Sequence, residues 1–294
     1  MAGERNPAFR ALVSSELMAA MEISIEQQRL LRAGDVQASL ELSSEAGWNQ
    51  TPEDWKMLIE IAPHGCFALE MDGRVVSTTT LMCYQRRLAW VGMVLTKMEY
   101  RGRGFARRLL VAALDHAESL GIETMKLDAT DQGRPLYERL GFKAEQPIER
   151  WVRQGSGQAF TARQQPSLSK RLLEFDAGVF GADRSTALAE LERRGPVYVD
   201  SDAFLLARPG RITAYLGPCV ASDPVAARNL MEQAIIDSPA VSWSWDLLPA
   251  NRHAVTLASE LGFTRQRSLT RMARGKTLRA RDDQTYAIAG FELG

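Results

Sequence analysis

Trp90-Val-Gly-Met-Val-Leu-Thr96 and, opening five residues later, Arg101-Gly-Arg-Gly-Phe-Ala106 decide how this chain of 294 residues is read. The first stretch is apolar and carries β-branched residues, the pattern of a buried strand. From Ala106 the apolar positions Ala106, Leu109, Leu110, Ala113, Leu114 and Ala117 recur at helical spacing. A strand, a glycine loop and an amphipathic helix thus follow one another, and the helix opens directly out of the glycines. Its first N–H groups have no partner within the helix and sit at the positive end of the helix dipole, which makes the pattern a site for phosphate or pyrophosphate. Two common phosphate loops do not fit. No Gly-Lys-Ser/Thr ending is present, and Arg107 stands where a dinucleotide fingerprint needs its third glycine.

The continuation narrows the choice. Gly121 closes the helix, Glu123-Thr-Met-Lys-Leu-Asp128 reads as a strand, and Leu136-Tyr-Glu-Arg-Leu-Gly-Phe142 as a short helix with a glycine stop. Arg101, Gly104 and Ala106 match the Arg/Gln-x-x-Gly-x-Gly/Ala loop of the GNAT N-acetyltransferases, and the last segment is similar to that family's Leu-Tyr-x-x-x-Gly-Phe signature. The resemblance implies that the amides of Arg101, Gly102, Arg103, Gly104, Phe105 and Ala106 hold the pyrophosphate of acetyl-coenzyme A. It also implies an oxyanion contact from a backbone N–H near Met93, Val94 and Leu95. Tyr137 takes the place of the family's general acid, which protonates the departing thiolate; packing is its other reading. Thr130 stands where the family commonly has Asn, as a helix cap with a coenzyme contact left open. For a general base the residues offer Glu99, in the loop, and Asp128, at the end of its strand beside the expected acetyl site, the latter against the plainer reading of a cap or turn residue.

Composition excludes several classes of partner. Lys+Arg and Asp+Glu number 36 each, and the basic residues are dispersed, so nothing points to nucleic acid or an anionic membrane. No apolar run reaches the length of a membrane span. Residues 1 to about 24 carry no firm pattern and make a poor secretory signal. Cys66, Cys83 and Cys219 share no metal-ligand spacing with His64, His116 or His253. The expectation is a reduced, cytoplasmic, metal-free protein.

Ahead of the glycine loop, a first strand is expected at 27–31, then a helix capped by Asp35 and a second helix starting at Thr51-Pro52-Glu53-Asp54. A hairpin over 66–84 follows, turning at Asp72-Gly73. That order is similar to the GNAT fold as far as Arg153. Trp48 and Asn49 fall in the loop between the first two helices, which in that fold usually walls the acceptor site, although a core tryptophan is the commoner outcome.

Beyond a polar, glycine-bearing stretch the sequence repeats itself. Leu257-Ala-Ser-Glu-Leu-Gly-Phe263 stands 121 positions after its counterpart at Leu136, and Ala227-Arg-Asn-Leu-Met231 stands 121 after Ala106-Arg-Arg-Leu-Leu110. Arg150 and Arg271 keep the same offset, as do Thr130 and Asn251. A constant offset over several elements marks duplication. The expected fold class is α/β (α+β): two tandem GNAT folds, each a mixed, mostly antiparallel central sheet flanked by helices. Residues 21–153 form the first, 154–169 a linker, and 170–294 the second. The second copy is degenerate. Gly92 lies 14 positions before Ala106 but Gly217 only 10 before Ala227, Asp223-Pro224 takes the anion's place at the helix start, and Ala258 replaces the tyrosine. An internal pair of this kind predicts a monomer built as a pseudo-dimer.

Phe180-Gly-Ala-Asp-Arg184 and Tyr286-Ala-Ile-Ala-Gly290 resemble segments of two-domain bacterial members. Asp183 and Arg184 are expected either at an acceptor cleft between the copies or as a helix cap and a solvated cation. The function expected from these readings is an acetyl-coenzyme A-dependent N-acetyltransferase acting on a small-molecule or other primary amine by direct attack. The alternatives are a catalytically silent acyl-coenzyme A sensor and a transferase of a longer acyl group.

Overall fold

The computed structural model describes residues 25–156 and 166–294, so the patternless residues 1–24 and the middle of the expected linker lie outside it. The first copy runs β1 (Glu26–Leu30), α1 (Val36–Glu45), α2 (Pro52–Ile61), β2 (Cys66–Met71), β3 (Arg74–Tyr84), β4 (Leu88–Thr96), α3 (Phe105–Ser119), β5 (Thr124–Ala129), α4 (Arg134–Arg139) and β6 (Lys143–Arg153). The second runs α5 (Lys170–Phe180), α6 (Ser185–Glu192), β7 (Val197–Asp200), β8 (Ala203–Arg208), β9 (Ala214–Ala221), α7 (Pro224–Asp237), β10 (Trp243–Leu247), α8 (Arg252–Glu260), β11 (Thr264–Gly275) and β12 (Thr285–Ala287).

Local chemistry explains most of these boundaries. The Thr51 hydroxyl accepts from the Asp54 N–H while the Asp54 carboxylate accepts from the Thr51 N–H, a capping box with Pro52 in the first turn. Asp72 and Gly73 both take left-handed backbone, at φ 50° and 79°, the geometry of a two-residue hairpin. Asp35 departs from expectation. It occupies the N-cap position of α1, but its carboxylate caps nothing there; it takes the Arg29 guanidinium with both oxygens, and the Arg32 N–H. A charged fork is the stronger donor.

All the strands join one sheet, in the order β1-β2-β3-β4-β5-β11-β6-β10-β9-β8-β7, with β12 alongside β9. The equivalent strands β6 and β11 are exchanged. β11 lies antiparallel between β5 and β6, and β6 lies antiparallel between β11 and β10, so neither pairs with the strand that precedes it in its own copy. A boundary near residue 153 therefore divides the sequence and leaves the sheet undivided.

The cores follow the same plan. Under α3 the first copy packs Leu109, Leu110 and Ala113 against Val91, Leu127 and Met272. Under α7 the second packs Ala227 and Met231 among Leu205, Leu216 and Trp245. On the opposite face a third core is common to both, holding Trp55, Leu58 and Trp90 of one copy with Leu172, Leu188 and Phe204 of the other. Among the described residues no helix is long and apolar enough to cross a membrane, and no group of His, Cys, Asp and Glu is placed to hold a metal ion.

Candidate functional site

β4 and β5 are parallel and paired only at Leu88↔Thr124, Ala89↔Met125 and Trp90↔Lys126. Beyond Trp90 they diverge, which leaves one edge of β4 without a neighbouring strand. There the ladder with β3 slips by a residue between Thr78 and Thr80, and Met93 takes left-handed backbone at φ 49°. A bulge with a strained, non-glycine residue is a local cost that active sites commonly carry. It is pinned from behind: the Thr78 hydroxyl donates to the Met93 carbonyl at 2.8 Å and the Ser77 hydroxyl to the Leu95 carbonyl at 2.7 Å.

The glycine loop opens at the same end of the sheet. Gly102 and Gly104 have φ of 78° and 81°, and a Cβ at either would meet open space. Gly104 is the N-cap of α3 and no side chain caps the helix, so its first N–H groups are left for another acceptor. Arg101 ties the loop to β4 by donating from Nε to the Thr96 carbonyl at 3.1 Å. The Arg103 guanidinium sits 4.9 Å from the Tyr100 ring centre, and that ring stacks on Phe105, which anchors the helix start. Both arginines are exposed.

The second copy differs at each of these points. Asp223 accepts from the Val225 and Ala226 N–H groups at 2.9 and 3.0 Å, bonds that hold its carboxyl below the ordinary range. The divergence between β9 and β10, which pair only at Ala214↔Trp243 and Tyr215↔Ser244, is filled from within. β12 pairs with β9, the Ile288 N–H donates to the Asp246 carbonyl at 2.9 Å, and the Trp245 indole donates to the Tyr286 carbonyl at 2.8 Å. The segment Tyr286-Ala-Ile-Ala-Gly290 is thus an internal plug.

Of the expected side chains, Tyr137 lies buried edge-on to Phe142, and burial pushes its hydroxyl above the ordinary phenol value. Thr130 accepts from the Gly133 N–H at 3.2 Å in the turn that leads into α4. Three expectations are corrected. Asp128 gives both oxygens to Arg271, at 2.9 and 3.0 Å across the β5–β11 pairing, with its side chain fully buried. Burial raises its carboxyl and Arg271 opposes the rise. Asp246 holds Arg150 in the same way across β10–β6, at 2.7 and 2.6 Å. A pair repeated in the copy whose cleft is plugged serves the strand exchange, so Asp128 is a strut between copies, not a free base.

Asn49 faces the second copy. Its oxygen accepts from the Ile212 and Thr213 N–H groups and its nitrogen donates to the Thr213 carbonyl, so the amide holds that loop by three bonds. Trp48 packs half-buried on the shared core, and its carbonyl takes the Arg211 guanidinium. Arg184 is buried and not solvated: it holds Asp176 bidentately at 2.9 and 2.8 Å and donates to the Gly294 carbonyl at 2.9 Å. It also lines a small pocket between the copies with Trp90, Phe180, Lys126, Arg271 and Gly294. Asp183 accepts from the Ser185 N–H at 2.9 Å, which caps the turn into α6.

One cluster escaped sequence reasoning. Residues 289–294 cross the face of β4 opposite α3, and a Cβ on Gly92 would lie 2.9 Å from the Glu292 Cα. From there Glu292 reaches Arg208 at 3.0 Å and Gln50 at 3.3 Å, and Arg208 reaches Asp54 at 3.5 Å. The only hint in the sequence is that Gln50 adjoins the loop expected to wall the acceptor site.

Residues 35–142 match the acetyltransferase (GNAT) family, and residues 172–287 match an acetyltransferase (GNAT) domain. Over 164 residues the chain is 27% identical to YitH of Bacillus subtilis strain 168, an uncharacterized N-acetyltransferase; the match covers 53% of this chain and 56% of YitH, about half of each. A putative acetyltransferase of Pyrococcus horikoshii superposes with a TM-score of 0.80 at 20% identity, over 92% of this chain and 96% of that one. A tandem GNAT protein from the clavulanic acid biosynthesis pathway superposes with a TM-score of 0.58 at 13% identity, over 85% and 98%. One family match falls in each copy of the duplicated fold, and the chain belongs to the GNAT acetyltransferases as a tandem member.

Proposed function

We propose that the first copy transfers an acetyl group from acetyl-coenzyme A to a primary amine by direct attack. The observation that carries this reading is the start of α3, uncapped behind two left-handed glycines and next to the divergence of β4 and β5. Unpaired N–H groups and the helix dipole suit a pyrophosphate, and the exposed Arg101 and Arg103 add charge beside them. The Met93 bulge takes the main chain of 93 and 94 out of the regular ladder, where an N–H serves the carbonyl oxygen of the thioester. Tyr137, kept protonated by burial, donates to the departing thiolate. In the second copy Asp223, β12 and Ala258 take the corresponding places, so that copy is assigned no transfer chemistry and shapes the acceptor side.

Thiol release from acetyl-coenzyme A tests the reading, with amines, amino acids and polyamines offered in turn. Release is expected only with an accepted amine. Tight coenzyme binding with no release for any amine would favour a sensor. Gly104→Val forces a β-branched residue into left-handed backbone and places its side chain over the free N–H groups, so calorimetry should register no coenzyme binding while circular dichroism stays native. Undiminished binding would remove the loop from the site.

A further inference from the structure

The buried cluster at Gln50, Tyr215 and Glu292 contains polar atoms that the fold leaves unmatched. Gln50 is 5% and Tyr215 3% exposed, yet neither the Gln50 Oε1 nor the Tyr215 hydroxyl has a hydrogen-bond partner among the described residues. Buried polar atoms are normally paired, and two unpaired ones in a single cluster call for a compensating group. Both flank Glu292: Gln50 donates to its Oε2 at 3.3 Å, and Arg208, which donates to its Oε1 at 3.0 Å, lies 3.9 Å from the Tyr215 ring centre. The Glu292 main chain in turn rests on Gly92, the residue before the Met93 bulge. The cluster therefore adjoins the thioester position on the face of the sheet opposite α3, and both copies contribute to it.

We infer that Gln50, Tyr215 and Glu292 bind the nitrogen of the acceptor amine and that Glu292 takes its proton, an inference that rests on the transferase reading above. The unmatched atoms are acceptors, the Tyr215 hydroxyl being able to donate as well. A neutral primary amine has two N–H donors and one lone pair. Donors given to Gln50 Oε1 and to Glu292 or Tyr215 leave the lone pair free for the thioester carbon. The surroundings fit an uncharged nitrogen, because Asp54 and Glu292 are balanced by Arg194 and Arg208.

In the reaction the N–C bond forms and the C–S bond breaks. One amine proton passes to Glu292, the thiolate takes a proton from Tyr137, and the resting states return by transfer of that proton through solvent. Burial raises the Glu292 carboxyl and Arg208 opposes the rise, which brings it nearer the working pH of a base. The charged and titratable groups facing it are Arg208, Asp54, Arg150, Tyr215, Arg267 and Tyr84, from β8, α2, β6, β9, β11 and β3.

Binding of n-butylamine to the full chain, followed by ligand-observed NMR, tests the site apart from catalysis. The amine should bind while n-butyltrimethylammonium, which has no N–H, should not. Tyr215→Phe deletes an unpaired hydroxyl and so leaves folding intact; it should weaken the amine at least 10-fold without lowering Tm. Glu292→Gln should lower kcat at least 100-fold and remove the ascending limb of its pH profile while acetyl-coenzyme A affinity is kept. Equal amine binding in wild type and Tyr215→Phe, or none in either, overturns the site. Butylamine binding as expected with no acetyl-coenzyme A binding in calorimetry would instead reject the transferase reading and leave the amine site standing.

Discussion

Tyr137→Phe removes one hydroxyl from a ring whose edge-on packing against Phe142 the substitution keeps. A general acid contributes roughly 100-fold or more, so kcat should fall by about that factor with acetyl-coenzyme A affinity unchanged; an unaltered kcat would return Tyr137 to packing. The Asp128–Arg271 pair makes a different demand. Removing one partner of a buried pair strands the other, so Asp128→Ala should cost about 3–5 kcal/mol, while Asp128→Leu combined with Arg271→Met should recover much of it. Chemical denaturation of the two variants checks this, and equal losses would mean that the two residues are not coupled. Asp54 adds a pH dependence. Burial raises its carboxyl, but Arg208, Arg194 and its hydrogen bonds outweigh that and hold it below the ordinary value. With the folded pKa depressed, the stabilisation is present above the unfolded value of about 4 and is lost as pH falls through the folded one. Asp54→Asn should flatten the acid side of a plot of denaturation midpoint against pH.

At the scale of elements, the two helices that follow the divergent strands show how a site is kept or lost. α3 begins on left-handed glycines with no side chain on its N–H groups, whereas α7 begins on Asp223, which satisfies two of them. Asp223→Ala should cost about 1 kcal/mol through the lost cap, lower Tm, and leave acetyl-coenzyme A binding unchanged, since that binding is assigned to α3. These starts were legible in the sequence because caps and glycines act within a few residues. The plug of the second cleft was not. Tyr286-Ala-Ile-Ala-Gly290 carries no sign of which strand edge it will meet, and only the unpaired edge of β9 selects it. What holds Asn49 and Arg184 stayed hidden for a similar reason. Their partners, Thr213 and Asp176, lie on loops and helices whose approach no local pattern encodes.

For the whole molecule the exchanged strands predict that the copies cannot be separated. Residues 1–156 alone would present β5 and β6 without the strand that joins them, and would bare the apolar face that packs against α5 and α6. That fragment should be unfolded or aggregated by circular dichroism and gel filtration, and co-expression with 166–294 should restore a soluble complex. A native, soluble fragment on its own would contradict this. The intact chain should sediment as a monomer, because the continuous sheet already supplies internally the contact that a dimer of single copies would make.

The glycine loop, the hairpin, the order of elements and the duplication are legible along the chain, since these depend on short-range periodicity, on residues that tolerate left-handed backbone, and on a fixed spacing between copies. A shortened loop and a single aspartate mark the second copy as degenerate. Which neighbours β6 and β11 take was settled only when the chain folded. β6 and β11 carry the same repeat, so exchanged and unexchanged pairings read alike along the chain. The buried ion pairs that accompany the exchange stayed hidden too. Asp128 and Asp246 occupy equivalent places but lie 118 apart and not 121, because α8, at nine residues, is three longer than α4, at six, and Arg271 meets Asp128 only across the assembled sheet.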